Sequence, residues 1–311
     1  MRPDYISRYW QHYSDGGFKR LVSQGYNFTN THYSFVPTYT APGHATIFTG
    51  TTPSGHGIIS NDWFSREKDN NIYCTEDATV SAVRSPEKAA SKNAPKQMMP
   101  KKFKEKTGQM SPRNMISGTF GDELRLFNNF QSKVVGVALK DRGSILPAGH
   151  TGNAYWFDGE SGEWISSTFY HNELPKWLND FNALNLTENY LGQTWKPLLP
   201  LKEYTSSLPD DNSYEGILKG KKKPVFPYNL KELAEATGKG VIRVTPFGNS
   251  LTKDVAIAAI KGENLGKGNA CDMLTVSFSS TDYVGHNFGI DAIETQDTYL
   301  RLDRDLEELF N

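Results

Sequence analysis

The chain has 311 residues, and its 34 lysines and arginines nearly cancel 35 aspartates and glutamates, for a formal net charge of −1. That length suits one large α/β domain with an insertion or two smaller domains, and the charge balance gives no global steering towards nucleic acid or an anionic membrane. No apolar run approaches the roughly 18 residues of a bilayer span, and the two cysteines, Cys74 and Cys271, fit neither a zinc ribbon nor a redox pair, so buried free thiols are expected.

The opening MRPDYISRYWQ carries charges and tyrosines where a secretory signal has an apolar segment, so either a signal has been removed or this is not the native start. In RYWQHYSDGGFKRLVSQG, the spacing of Tyr9, Tyr13, Phe18 and Leu21 predicts a helix ending at Gly25. YNFTNTHYS alternates like a strand. The following SFVPTYTAPGHATIFTG reads as an extended segment, a Pro-Gly turn and a short helix, that is, a strand-turn-helix junction.

Residues 84–113 hold seven lysines and four prolines with little apolar periodicity, which predicts a solvated surface insertion; aromatics that could stack bases are nearly absent, so a nucleic-acid patch is not favoured. NMISGTFGDELRLFNN predicts a helix, and SKVVGVALKDRGSILPAG a buried strand running directly into Lys140 and Arg142. NAYWFDGESGEWISSTFY carries a hairpin signal. From about 176 to 235 the chain is rich in Trp, Asn, Pro and Tyr, and residues 151–240 are assigned to a cap-like insertion. CDMLTVSFSSTDYVGH returns to the core with a strand at 273–278 ending in serines and an aspartate, and ETQDTYLRLDRDLEELFN reads as a helix running to the last residue. Both ends look cut, and the catalytic core is assigned to 1–150 and 241–311.

Three strand ends therefore offer reactive groups: Thr40, the Lys140 and Arg142 pair, and Asp282 with His286. In open parallel α/β sheets the ligand crevice lies outside the carboxyl ends of the strands, so these groups should converge. Asp282 and His286 stand four apart and would point the same way on a helical turn, a half-site for zinc; alone, the pair also reads as a helix-capping aspartate beside a surface histidine. A threonine hydroxyl needs a base or a metal to become a nucleophile, and a metal would serve Thr40 better than His44, which reads as an anchor of the turn. Lys140 and Arg142, one residue apart on an extended segment, would project to one side and suit phosphoryl oxygens, the alternative being a solvated charged loop. Asn61 offers an amide donor for one such oxygen, or is an ordinary turn asparagine.

Together TYTAPGHATIFTGTTPSGHGIISNDWF, LKDRGSILPAGH and VSFSSTDYVGHNFG resemble the alkaline phosphatase superfamily, in the branch of type I phosphodiesterases and nucleotide pyrophosphatases. The resemblance extends to TPFGNSLTKDVAIAAIKGENLG and ETQDTYLRLDRDL. It implies an α/β/α sandwich of alkaline phosphatase-like type with a cap insertion, incomplete here, and a mechanism in which two zinc ions flank the nucleophile. Thr40 would be phosphorylated and would also be a zinc ligand, Asn61 would bind a phosphoryl oxygen, and Asp282 and His286 would be two ligands of one zinc. Lys140 and Arg142 match the pair that bacterial phosphate-irrepressible alkaline phosphatases use on the phosphoryl group, which implies small phosphate monoesters as substrates and export to the periplasm or beyond.

The same resemblance places a zinc-ligating aspartate upstream of this chain, on a strand in the middle of the sheet, and an Asp-His pair with a further histidine downstream. The expectation is a fragment of a zinc-dependent alkaline phosphatase that is inactive alone. A phosphodiesterase or nucleotide pyrophosphatase is the competing enzyme reading, and a non-catalytic phosphate-binding module the competing one of another class.

Overall fold

A computed structural model describes residues 2–86 and 108–311 of the chain. Its centre is a five-stranded mixed sheet whose members are β3 (Ala82–Val83), β4 (Val134–Ala138), β5 (Asn153–Asp158), β6 (Glu163–Ser167) and β9 (Met273–Ser277). A hairpin of β1 (Asp62–Ser65) and β2 (Asn70–Tyr73) and a short ladder of β7 (Thr194–Trp195) and β8 (Tyr228–Asn229) lie outside it. The order across the sheet is β3-β6-β5-β4-β9, with β4 parallel to both β5 and β9 and the remaining pairs antiparallel.

β4 is the VVGVA run, and all five of its residues are buried, as a parallel strand covered on both faces requires. The two faces of the sheet go to different cores. Val135 and Val137, with Tyr155 and Phe157 of β5, pack against Leu251, Val255 and Ala259 of a helix at Phe247–Gly262. Ala154 and Trp156 of β5 pack against Ile145 and Ala148 of a helix at Asp141–Ala148. This period-two division gives helices on both sides of the sheet, the predicted α/β/α arrangement. Gly136 is required where it stands: a β-carbon there would come within 2.4 Å of the Ser144 carbonyl oxygen in the helix packed above it.

The helices that matter for the site are α1 (Thr40–Thr49), α2 (Phe120–Phe127), α3 (Asp141–Ala148), α4 (Phe247–Gly262), α5 (Ser280–Phe288) and α6 (Ile293–Phe310). Among the described residues none is long and apolar enough to cross a membrane.

Several expectations need correction. The helix predicted over residues 8–25 is broken into a 3-10 turn at Trp10–His12 and a helix at Phe18–Gln24, with a separate short helix at Asp4–Arg8 before it, because Ser14 to Gly17 turn the chain against α6. There Asp303 accepts from the Ser14 and Phe18 backbone N–H groups at 2.6 and 2.7 Å. YNFTNTHYS forms no strand; it pairs with nothing among the described residues, and Tyr26, Phe28 and Tyr33 are exposed. The Pro-Gly pair is the first turn of α1 rather than a turn before it, and proline is tolerated there because its missing N–H would have no helical partner. The hairpin at 153–167, placed in the cap-like region, joins the central sheet as β5 and β6, while Trp195 and Tyr228 from the same region share one core with Phe288 of α5. Most of the lysine-rich stretch lies outside the described residues; its flanks do not, and Met110 and Ser111 are buried. Of the cysteines, both free, Cys74 is buried as expected but Cys271 is exposed.

Candidate functional site

Thr40 is the first residue of α1, where unpaired backbone N–H groups and the helix dipole favour an anion. One of those groups is already taken: the Ala41 N–H donates to Asn61 Oδ1 at 2.9 Å. That bond fixes Asn61, at the entry to the β1-β2 hairpin, beside the Thr40 helix end. The hairpin itself is anchored by the Cys74 N–H, which donates to the Asn61 carbonyl at 2.9 Å.

His44 ties this helix to the sheet. Its Nδ1 lies 2.8 Å from the Thr40 carbonyl oxygen, which can only accept, so Nδ1 carries the proton and Nε2 accepts from Ser277 Oγ at 3.1 Å. Burial pushes the imidazole pKa down, and the charges of Lys140 and Arg142 push it the same way against the pull of Asp282. His44 is therefore a neutral strut between α1 and the end of β9, which matches its expected structural role.

Lys140 caps α3 and is 7 % exposed. Its ammonium contacts Asp282 Oδ2 and lies 4.5 Å from the centre of the Tyr283 ring. Burial, with Arg142 and Arg243 adding, holds the Lys140 pKa below the ordinary lysine value in spite of Asp282. For Asp282 burial pushes upward, but the Lys140 ammonium outweighs it and the carboxyl stays below its usual range. Asp282 stands in the first turn of α5 and His286 one turn on, with Nε2 3.4 Å from Asp282 Oδ1.

Lys140 and Arg142 do not point the same way, because they occupy the cap and second position of a helix and not an extended strand. Arg142 turns towards the hairpin, donating to Tyr73 Oη at 2.6 Å, while Tyr73 Oη donates to Asp141 Oδ1 at 3.0 Å and Thr75 Oγ1 to Asp141 Oδ2 at 2.5 Å. Both cations still border one small cavity at the carboxyl ends of β4 and β5. The Tyr73-Asp141-Thr75 network was not foreseen; its partners lie 66 to 69 positions apart and no spacing rule links them. Arg243, on the same cavity, was also missed, since nothing distinguishes it locally from a solvated arginine.

For a divalent metal the donor chemistry of Asp282 and His286 is suitable: one carboxylate and one imidazole, adjacent on a helix face and open to solvent. Among the described residues no group of three His, Cys, Asp or Glu side chains comes together to hold a metal. The two side chains thus stand side by side, with Lys140 as the present counter-charge of Asp282.

Residues 1–311 match the model of the type I phosphodiesterase/nucleotide pyrophosphatase family. The chain is 50% identical to alkaline phosphatase PafA of Elizabethkingia meningoseptica, over 100% of this chain and 54% of that protein. It is 47% identical to a protein of Myroides odoratus named calcium-transporting ATPase (99% and 54%) and 46% identical to alkaline phosphatase PhoV of Synechococcus elongatus (100% and 53%). A crystal structure of PafA substituted at a threonine, an asparagine, a lysine and an arginine superposes with a TM-score of 0.91 at 48% identity, covering 100% of this chain and 57% of that one. The chain spans about half the length of the curated relatives it matches. Its fold is the α/β fold of PafA, and the chain belongs to the type I phosphodiesterase/nucleotide pyrophosphatase family.

Proposed function

We propose that the protein carrying this chain is an alkaline phosphatase that hydrolyses phosphate monoesters through a phosphorylated Thr40, with zinc as its metal. The observation that carries this reading is that Lys140, two residues before Arg142, meets Asp282 just beyond the end of β9, the strand to which His44 ties the Thr40 helix. Supporting it, the threonine and asparagine substituted in the PafA variant are separated along that chain as Thr40 and Asn61 are here, and its lysine and arginine as Lys140 and Arg142 are.

Thr40 presents its hydroxyl to the phosphorus from a helix N-terminus that favours the incoming anion. The Asn61 amide, held by the Ala41 N–H through its oxygen, keeps its NH2 to donate to a phosphoryl oxygen. Lys140 and Arg142 supply two positive charges, which help a dianionic monoester more than a monoanionic diester. Asp282 and His286 would hold one zinc and Thr40 would border another. When bound, zinc supplies Lewis acidity that makes a hydroxyl nucleophilic at moderate pH.

Two donors are fewer than the three protein ligands of a catalytic zinc site. We therefore propose that these 311 residues alone are inactive, and that a longer form supplies the remaining ligands. Export to the periplasm or the medium belongs to the same proposal. The test is zinc content and p-nitrophenyl phosphate turnover for this chain and for a longer form. Turnover and about two zincs in the longer form only are expected; a longer form that binds metal but prefers diesters would establish the phosphodiesterase reading. One that binds neither metal nor phosphate would overturn the mechanism, and one that binds phosphate without metal would establish the non-catalytic module.

A further inference from the structure

We propose that Asn249 is a positioning residue of the candidate site: from the first turn of α4 it caps α5 and so sets Asp282 against Lys140. The role assigned to Asn249 rests on the reading of Asp282 as a zinc-holding carboxylate.

α5 begins without a cap of its own. Ser279 stands at the cap position, but its hydroxyl donates to the Ser277 carbonyl oxygen at 3.4 Å and takes none of the first-turn N–H groups. The first N–H groups of a helix have no acceptor within it and must find one elsewhere. The Ser280 N–H finds one 31 positions back in the chain, in Asn249 Oδ1 at 3.0 Å. Asn249 and Ser280 are both fully buried, so removing this acceptor orphans a donor that water does not reach.

The neighbouring glycine lets the two helices approach. A β-carbon at Gly248 would overlap Ser280 Oγ and come within 2.9 Å of Leu139 Cδ1. Leu139 directly precedes Lys140, and Ser280 stands two residues before Asp282. The first turn of α4 therefore packs against both segments that meet in the Lys140–Asp282 ion pair, and the Asn249 bond fixes one of them in direction as well as distance. The Asp282 side chain is 48 % exposed, so its place is set by the turn that carries it more than by packing around it.

Two substitutions separate the acceptor from the bulk. Asn249→Leu keeps the size and branching of the side chain and deletes the acceptor. Asn249→Asp keeps the oxygen and drops only an NH2 that has no acceptor among the described residues, at a helix end that favours its charge. Amide hydrogen exchange over residues 280–283 is read on this chain without metal; zinc retention against a chelator and monoester turnover are read on the longer form. For Asn249→Leu, exchange in that turn should quicken roughly tenfold beyond any general loss of protection, and the chelator needed to strip half the zinc should fall by about the same factor. Added zinc should recover the lost turnover. Asn249→Asp should stay near wild type in all three readouts, and Asn249→Ala replaces the leucine variant if that one does not fold. Tyr190→Phe, which cuts the bond from Tyr190 to Asp254 further along α4, should leave zinc retention unchanged.

Unchanged exchange over 280–283 would overturn the proposal, as would quicker exchange with zinc retention unaltered, or an aspartate variant no better than leucine. A wild-type longer form that binds no zinc would sink the phosphatase reading instead, and the metal-free exchange comparison then decides whether Asn249 sets the Asp282 turn.

Discussion

The Lys140 ammonium, nearly sealed from solvent, rests on the Asp282 carboxylate from a point 142 positions away in sequence. The contact joins the carboxyl ends of two neighbouring parallel strands, so the cation proposed for the phosphoryl group and the carboxylate proposed for the metal are one electrostatic unit. Lys140→Ala removes the counter-charge from Asp282 and half of the proposed phosphoryl cations. In whichever form of the protein turns over substrate, monoester kcat/KM should fall on the order of a hundredfold while diester hydrolysis falls far less. Equal losses on both substrates would favour the diesterase reading.

Asn61 has two separable jobs, because its amide oxygen accepts from the Ala41 N–H while its NH2 stays available to substrate. Asn61→Ala should cost about 1 kcal/mol of stability by orphaning a first-turn N–H, and should lower turnover by a further, larger factor. Asn61→Asp keeps an acceptor for Ala41 but has no donor. Urea unfolding should therefore recover towards wild type in the aspartate variant while turnover does not; joint recovery would show that Asn61 only supports the helix.

Much of this arrangement was legible in the sequence because it is local. The apolar VVGVA run, the alternation around the 158–163 turn and the four-residue interval of Asp282 and His286 each follow from chain geometry, and each took the predicted form. Two kinds of feature escaped. The direction of Arg142 depends on whether Lys140 ends a strand or caps a helix, and one residue of difference in that boundary reverses it. The aromatic pattern of 26–34 looks like a strand but lacks a paired neighbour among the described residues, and pairing is not a property of the segment itself.

Arg142 owes its orientation to Tyr73, whose hydroxyl accepts from the guanidinium at 2.6 Å and donates to Asp141 at 3.0 Å. Tyr73→Phe keeps the ring under the guanidinium and removes only the hydroxyl. Roughly 1 kcal/mol of stability should be lost, with a rise of about tenfold in the KM for monoesters and a smaller change in kcat, as expected for a loosened binding cation. An unchanged KM would mean that α3 alone sets the Arg142 position.

Glu294, at the start of α6 and fully buried, gives a pH prediction remote from the candidate site. Burial raises its pKa to about 8, with Glu215 and Asp210 adding to the rise and the Tyr228 hydroxyl, 2.5 Å from Oε1, opposing it. Between the ordinary glutamate range and that value the folded chain holds a proton that the unfolded chain has released, so stability falls as pH rises across this window. The slope from this one group approaches about 1.4 kcal/mol per pH unit at most. Glu294→Gln keeps an oxygen to accept from Tyr228 and removes the titration. Urea unfolding midpoints measured from pH 5 to pH 9 should decline with pH in the wild type and be flatter in the variant, which becomes the more stable of the two at alkaline pH. Parallel curves would show that Glu294 ionises in the folded state as readily as in the unfolded one.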